Sequence, residues 1–185
     1  SETDAEFTIA PKTLETPIVL LSETEYVYNG TDKKPIVTVK DGDTEILGTE
    51  YSVNYANNVN AGTATVTITN IDGGNYVVND TSVYFSIIRR PFTNLSLEVS
   101  GTDFVYDGTA QTPSVTVKKG NIVIPDSEYN VIYTDNINAG TATITISDNE
   151  EGNYIIAEAK TNFAIAQKQL DTFLIALSEI EFTFD

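Results

Sequence analysis

Apolar and polar residues alternate along most of this chain. In Thr63–Thr69 the threonines occupy one face, and Ala64, Val66 and Ile68 occupy the other. This period of two is typical of a half-buried antiparallel strand. The pattern returns at Thr141–Ser147, and turn-forming Asn, Asp and Gly residues separate such runs at short intervals. The sequence therefore predicts an all-β chain in which the threonine face of each of these strands points outward.

The chain also repeats itself, without a gap, at a distance of 78 residues. Between Tyr28 and Tyr76, 26 of 49 positions are identical to the residue 78 places later. A repeated module usually works through its number and spacing rather than through one unique site. The register predicts four segments: the terminal strand of a preceding repeat at 1–13, a first complete repeat module at 14–91, a second at 92–169, and the first strands of a following repeat at 170–185.

About six or seven short strands fit into each repeat, and turns of this density are typical of a small sandwich. We therefore expect tandem antiparallel β-sandwich modules of immunoglobulin (Ig-like) type in an extended array. The alternative is a β-grasp sheet, which needs a crossing helix. The best candidates for that helix, Asp43–Glu50 and Asn121–Glu128, share little helical pattern, and the second contains Pro125.

The shared apolar positions with strand periodicity predict the core. They are Tyr28, Val39, Tyr51, Val53, Tyr55, Ile68 and Tyr76, together with their partners 78 residues on.

Composition excludes several classes of function. The net charge is −17, from 27 acidic and 10 basic residues, whereas nucleic acids and anionic membranes are bound mainly through Lys and Arg. We therefore expect no nucleic-acid partner, and no stretch approaches the roughly 20 apolar residues of a membrane helix. The chain has no Cys and no His, and it contains no Gly-x-Ser-x-Gly elbow, P-loop or dinucleotide fingerprint. The prediction is that the protein is not an enzyme and has no cofactor.

Calcium is the one metal that the loops could hold, because they are rich in oxygen ligands. Asp41 and Asp43 make an attractive pair, but Lys119 and Asn121 replace them in the second copy. Candidates in loops that keep their oxygens in both copies are Asp72, Asp148, Glu150 and Asp135. The competing interpretation is that Asn and Asp occupy these loops because they tolerate left-handed backbone.

The connectors between repeats contain neither Gly nor a run of Ser, so they are not flexible tethers. A cation recurs there at one phase, at Lys12, Arg90 and Lys168. An apolar residue follows each cation two positions later, at Leu14, Phe92 and Leu170. The predicted module junction is therefore Arg90, Phe92, Lys168 and Leu170, with Phe92 partly buried and Arg90 within reach of a carboxylate. The apolar residue could equally be the first inward residue of the next strand.

Several spaced motifs recur in the same order: Tyr-Asn/Asp-Gly at 28 and 106, Asn-Ala-Gly-Thr-Ala-Thr at 60 and 138, and Gly-Asn-Tyr at 74 and 152. This pattern resembles the MBG/YDG-type repeats of bacterial surface proteins. The resemblance implies an extracellular protein whose copies form an adhesin-type stalk at the bacterial cell surface, with no catalytic residues to carry over. Its expected partners are neighbouring repeats of the same chain, and a host surface protein or glycan is a further candidate.

The alternative function is a ligand-binding module for a glycan or a host protein. Sugar sites need aromatic ring faces, and Tyr84 and Phe173 are aromatic residues that the repeat does not explain.

Overall fold

The computed structural model describes residues 6–170 and Phe184. Strands make up 52% of the structure. The one helical element of the described residues is a single 3-10 turn at Asp126–Glu128. The predicted all-β class is confirmed. None of the described residues forms a helix that is long and apolar enough to cross a membrane.

In the described part of the chain, nine strands end at or before Ile88 and nine begin after it. The first nine are β1 (Lys12–Leu14), β2 (Ile18–Leu21), β3 (Glu25–Val27), β4 (Val37–Asp41), β5 (Thr44–Ile46), β6 (Tyr51–Ala56), β7 (Gly62–Asn70), β8 (Tyr76–Val78) and β9 (Thr81–Ile88). The second nine are β10 (Arg90–Phe92), β11 (Ser96–Val99), β12 (Asp103–Val105), β13 (Val115–Lys119), β14 (Ile122–Val123), β15 (Tyr129–Thr134), β16 (Gly140–Asp148), β17 (Tyr154–Ile156) and β18 (Ala159–Ala166).

The described chain forms two compact units. Unit 1 combines the described residues up to Thr93 with Ser127–Tyr129 and Asp148–Ala157. Unit 2 combines Asn94–Asp126, Asn130–Ser147 and the described residues from Glu158 onward. The first two residues of the second sequence repeat and two of its internal segments, Ser127–Tyr129 and Asp148–Ala157, therefore belong to unit 1. The repeat boundaries drawn from sequence remain a prediction.

Unit 1 contains four sheets. One has four strands in the order β3-β9-β7-β6, and a second has three in the order β2-β4-β5. The other two are parallel pairs, β1 with β8 and β10 with β17. Strand β3 is also parallel to β9, so each of these edge strands lies beside a strand far from it in sequence.

Unit 2 contains two sheets that match the larger sheets of unit 1. Their orders are β12-β18-β16-β15 and β11-β13-β14. The equivalent parallel pairing also recurs, because β12 runs parallel to β18. The same sequence pattern thus gives the same pairing in both copies.

The predicted register of the threonine strands is confirmed. Ala64, Val66 and Ile68 of β7 are fully buried, while Thr63 is exposed and Thr65 half-buried. The buried core of unit 1 consists of Leu14, Val39, Ile46, Tyr51, Ala64, Val66, Ile68, Val78, Phe85 and Ile87. Unit 2 buries Val115, Val117, Ile124, Ala142, Ile144, Ile146, Phe163 and Ile165.

Some predicted core residues lie nearer the surface. Tyr28, Val53, Tyr55 and Tyr76 are only partly buried against the core of unit 1. In the second copy the prediction was wrong for Tyr106 and Val131, which are 39% and 37% exposed. The tyrosines keep their hydroxyls near polar groups: Tyr55 donates to the carbonyl of Pro35 at 2.7 Å, and Tyr133 to that of Pro113 at 2.5 Å. A tyrosine that packs its ring on a core while its hydroxyl bonds to a polar group is seldom fully buried.

The crossing helix of a β-grasp sheet is absent from the described residues. Where it would lie, Thr44–Ile46 forms strand β5, and Asp126–Glu128 forms the 3-10 turn. At the start of the described chain, Phe7 and Ile9 are in no strand and are 84% and 85% exposed. Their repeat equivalents, Phe85 and Ile87, lie in β9, which pairs with β3 and β7. A strand for Phe7–Ile9 would need a preceding repeat to supply such partners.

Candidate repeat junction

The apolar residue after each of the first two connectors is the inward end of a strand. Leu14 ends β1 and Phe92 ends β10, and they are 1% and 5% exposed. Phe92 lies opposite Ile156 in the parallel pair with β17. Of the two interpretations left open by the sequence, the structure supports the first inward residue of a strand.

An arginine between β9 and β10 anchors this strand pair within unit 1. Arg89 donates from Nη1 and Nη2 to the two carboxylate oxygens of Asp148, each at 2.9 Å. Its Nε donates to the carbonyl of Gly152 at 2.9 Å, and Nη2 also reaches the carbonyls of Asn149 and Tyr154. The planar guanidinium suits this two-pronged contact with a carboxylate. Arg89 thus fixes the loop between β16 and β17.

The contact with Arg89 favours the ionised form of Asp148. Burial pushes the pKa of its carboxyl upward, but the Arg89 hydrogen bonds, the amide of Ile156 and the charge of Arg89 outweigh burial. The pKa of Asp148 therefore lies below its ordinary value. The amide of Ile156 donates to Oδ1 at 2.7 Å, so one carboxylate serves both the arginine and the start of β17.

Two motifs that recur in the repeat meet inside unit 1. The amide of Ala61, in Asn-Ala-Gly, donates to Oδ1 of Asn153, in Gly-Asn-Tyr, at 2.8 Å. Glu128 sets the orientation of Asn153, because its oxygens accept from the Asn153 amide at 2.5 Å and from Nδ2 at 3.0 Å. A carboxylate can only accept, so Nδ2 turns to Glu128 and Oδ1 is left for Ala61.

Glycines make these approaches possible. A Cβ on Gly152 would lie 2.7 Å from Oε2 of Glu128, closer than such atoms come without something shifting. Gly62, which follows Ala61, has φ +134°, and its repeat equivalent Gly140 has φ +146°. Residues with a side chain rarely adopt this conformation. The Gly of Asn-Ala-Gly is therefore required by the backbone conformation, and the Gly of Gly-Asn-Tyr by the close approach of the glutamate.

Aromatic rings continue the junction. Tyr154 stacks on Phe92 with ring centroids 4.5 Å apart and an interplanar angle of 17°. Tyr28 meets Tyr154 edge-on at 5.3 Å and 85°. Desolvation raises the pKa of Tyr28, with smaller contributions from the charges of Tyr154 and Glu128. Such ring pairs contribute about 0.5–1.5 kcal/mol beyond burial of their area.

The first repeat builds the same edge, except for the arginine. Glu50 accepts from the amide and Nδ2 of Asn75 at 2.7 and 2.9 Å. Asn70, which replaces Asp148, accepts the amide of Val78 at 3.1 Å. Pro11 stands at the position equivalent to Arg89, so Asn70 has no arginine to pair with and is neutral.

The four predicted junction residues have different environments. Phe92 is buried, whereas the guanidinium of Arg90 lies 5.4 Å from the Phe92 ring centroid and forms a cation–π contact. Among the described residues the ion pair here is made by Arg89 rather than by Arg90. Lys168 and Leu170 are exposed and line a cleft of unit 2.

The calcium candidates have different environments in the structure. Asp148 is engaged by Arg89, and Asp72 and Glu150 are exposed. Asp135 has φ +57°, and Asn57 at the same position of the first copy has φ +55°. This is the left-handed backbone that Asn and Asp tolerate best. Within the described part of the chain, no three acidic side chains come together as metal ligands.

Sequence reasoning missed Arg89, Glu50 and Glu128. A signal for the glutamates was present, because theirs is the one acidic position that is identical in the two complete copies. Arg89 has no such signal, since Pro11 and Gln167 occupy its equivalent positions.

Comparisons with known proteins add no family assignment. A scan against protein-family models finds no match, and a search of curated proteins also finds none.

Proposed function

We propose that this chain is a structural spacer segment of an extracellular bacterial surface protein, built from tandem Ig-like β-sandwich modules in an adhesin-type stalk. The observation that carries the proposal is the contact of Ala61 with Asn153 and of Tyr28 with Tyr154. These residues belong to motifs that recur in both repeats, and they link one copy to the next. A stalk transmits position only if such links are stiff.

The distribution of conserved chemistry supports a role without catalysis. The glutamate that is identical in both copies orients an asparagine for a contact between copies. The glycines of the shared motifs serve backbone geometry and close packing. A three-stranded and a four-stranded sheet recur in each repeat, which favours the sandwich architecture.

Spin-label distance measurements test the stiffness. The chain has no cysteine, so Asp43→Cys with Asn121→Cys places one label on each repeat, at equivalent exposed positions. We expect a single narrow distance distribution that broadens in Tyr28→Ala. Tyr106→Ala is the matched control, because this equivalent tyrosine is 39% exposed, and it should leave the width unchanged. A broad distribution in the unmodified chain would overturn the spacer proposal.

The surface location rests on the resemblance to MBG/YDG-type repeats and needs its own test. Antibodies raised against this chain should label intact, unpermeabilised cells of the source organism. Labelling that appears only after permeabilisation would contradict an extracellular role.

A second candidate function is binding of a glycan or host protein, and one residue favours it. Tyr84 on β9 is 61% exposed and lies opposite Thr65 of β7, which offers a ring face beside hydroxyl groups. The second copy has Asn162 at this position. Binding to a glycan panel that is lost in Tyr84→Ala would support this function, whereas an inactive unmodified chain would argue against it. Phe173, the other aromatic residue considered, lies outside the described residues.

A further inference from the structure

A cleft of unit 2 matches half of the junction found in unit 1. We define the Tyr106 face as the residues that line this cleft: Tyr106, Asn138, Ala139, Gln167, Lys168 and Leu170. Each lies 78 positions after a residue at or beside the junction: Tyr28, Asn60, Ala61, Arg89, Arg90 and Phe92.

The two faces differ in exposure. Tyr28 is half-buried under Tyr154, whereas Tyr106 is 39% exposed. The Tyr106 face therefore presents the donor side of the junction, which carries the Ala139 amide, with its tyrosine exposed.

The partner side is also present, in the first repeat. We define the Gly-Asn-Tyr edge as Gly74–Tyr76. Glu50 holds the amide and Nδ2 of Asn75 as Glu128 holds those of Asn153. This orientation leaves Oδ1 of Asn75 as an acceptor. Asn75 is exposed, and Tyr76 is half-buried beside a cleft of unit 1.

We propose that the Tyr106 face binds the Gly-Asn-Tyr edge of another copy of the repeat. The Ala139 amide would donate to the asparagine, and the Tyr106 ring would pack on the tyrosine. The inference rests on the proposed function, since it treats the junction as the module's recurring contact. Because the two surfaces differ, the contact is head-to-tail. Such a contact need not form a closed dimer or ring.

The comparison of the two faces also predicts how strongly separate chains associate. Gln167 stands at the Arg89 position, and Asn70 at the Asp148 position, so no ion pair supports this contact. Each chain carries a net charge of −17, and mutual repulsion opposes association unless salt screens it. Association of separate chains should therefore be weak and should increase with salt. A covalent neighbour would face an effective concentration in the millimolar range.

Cross-linking tests the proposal with the full chain, which has no native cysteine. Ala61 and Glu150 line one cleft in unit 1, and their equivalents are Ala139 and Asp72. Chains carrying Ala139→Cys and Asp72→Cys are mixed with a short bismaleimide in 0.5 M NaCl, a concentration at which charges are screened beyond roughly 4–5 Å. We expect heterodimers about tenfold faster than with Asp43→Cys, an exposed control; tenfold corresponds to 1.4 kcal/mol.

Adding Tyr106→Ala to the Ala139→Cys chain, or Asn75→Ala to the Asp72→Cys chain, should reduce the rate to that of the control pair. Equal rates for the test and control pairs would overturn the proposal and leave the Tyr106 face to a partner of other chemistry. An unchanged rate in Tyr106→Ala would also overturn it. Neither result would affect the spin-label test of the spacer function, which measures contacts within one chain.

Discussion

The two repeats build the same turn with the charge in different places. In the first, Oδ1 of Asn29 accepts from the threonine two residues later and from Nζ of Lys33. In the second, Oδ1 of Asp107 accepts from the equivalent threonine and from Nε2 of Gln111 at 2.9 Å. The first copy places its charge on the donor, and the second places it on the acceptor. The hydrogen-bond pattern is kept although the charges are not.

The junction position shows a different kind of change. Asn70 and Asp148 both accept the amide of a residue eight places later. Only Asp148 faces an arginine, because Pro11 occupies the Arg89 position before the first repeat. The shared task is acceptance of a strand amide, and the ion pair is an addition made by changing both partners. Variants that give one copy the residues of the other separate the contribution of the amide hydrogen bond from that of the ion pair.

The largest effect should come from the junction aromatic. Phe92→Ala should destabilise unit 1 by about 3–5 kcal/mol, because it leaves a cavity beside Tyr154. Phe92→Leu, which gives the second repeat the residue of the first, should cost less than half as much. Urea denaturation followed by tyrosine fluorescence measures both. Equal losses for the two variants would show that stacking on Tyr154, rather than volume, dominates.

Removal of the arginine should have the next largest effect. Arg89→Ala should cost about 2 kcal/mol, since it leaves a partly buried carboxylate and several carbonyls without their donor. Arg89→Ala with Asp148→Asn recreates the arrangement of the first repeat, a neutral asparagine without an arginine. The double variant should recover part of that loss. Hydrogen exchange at the Ile156 amide gives a local measurement of both variants. Strict additivity of the two single changes would show that Arg89 and Asp148 are not coupled.

A smaller effect is expected at the turn. Lys33 is only 7% exposed and donates to oxygens of Asn29 and Thr31. Lys33→Ala should destabilise unit 1 by about 1–2 kcal/mol by removing the hydrogen bonds that the lysine donates to these oxygens. Lys33→Gln should be nearly neutral, because Gln111 performs this role in the second copy. Thermal denaturation compares the pair, and a Gln variant as unstable as the Ala variant would show that the charge itself is needed.

The smallest effect is a pH dependence. The pKa of Asp148 is lowered in the folded protein, so its contribution is complete well above the ordinary Asp pKa of about 3.9 and is lost as the pH falls through the lower folded value. The stability difference between the unmodified chain and Asp148→Asn should therefore shrink as the pH falls below about 4. Denaturation curves between neutral and strongly acidic pH measure it. Asp43→Asn, at an exposed carboxylate, is the control, and a parallel change in both variants would contradict the assignment to Asp148.

Much of the fold could be predicted because it follows from side-chain period. The threonine strands have one polar and one apolar face, so a shift of one residue would expose Val66 and Ile68 and is strongly disfavoured. Tyr106 could not be placed in this way. It has the same sequence context as Tyr28, and its exposure depends on whether Tyr154 or an equivalent residue lies against it.

The candidate site was harder to predict for a related reason. Phe92 was identified from its phase, but the ion pair fell to Arg89, one residue earlier. Adjacent residues of a strand point to opposite faces, so the phase of a cation in a connector does not specify which of two arginines turns toward a carboxylate. Glu128 was overlooked although Glu50 and Glu128 share the one acidic position that is identical in the two copies. That identity does not specify a role, which is shown by the contacts of Glu128 with Asn153.

The junction is formed by two different sets of residues, and each repeat contains both sets. This has a consequence for how a gene that encodes tandem repeats changes length. The Tyr-Asn/Asp-Gly and Asn-Ala-Gly residues lie on one side of the contact, and the Gly-Asn-Tyr residues on the other. Every copy encodes both. Unequal recombination that inserts or deletes a whole number of copies therefore joins compatible surfaces without any new substitution. An exchange out of register by a fraction of a copy would not preserve this match.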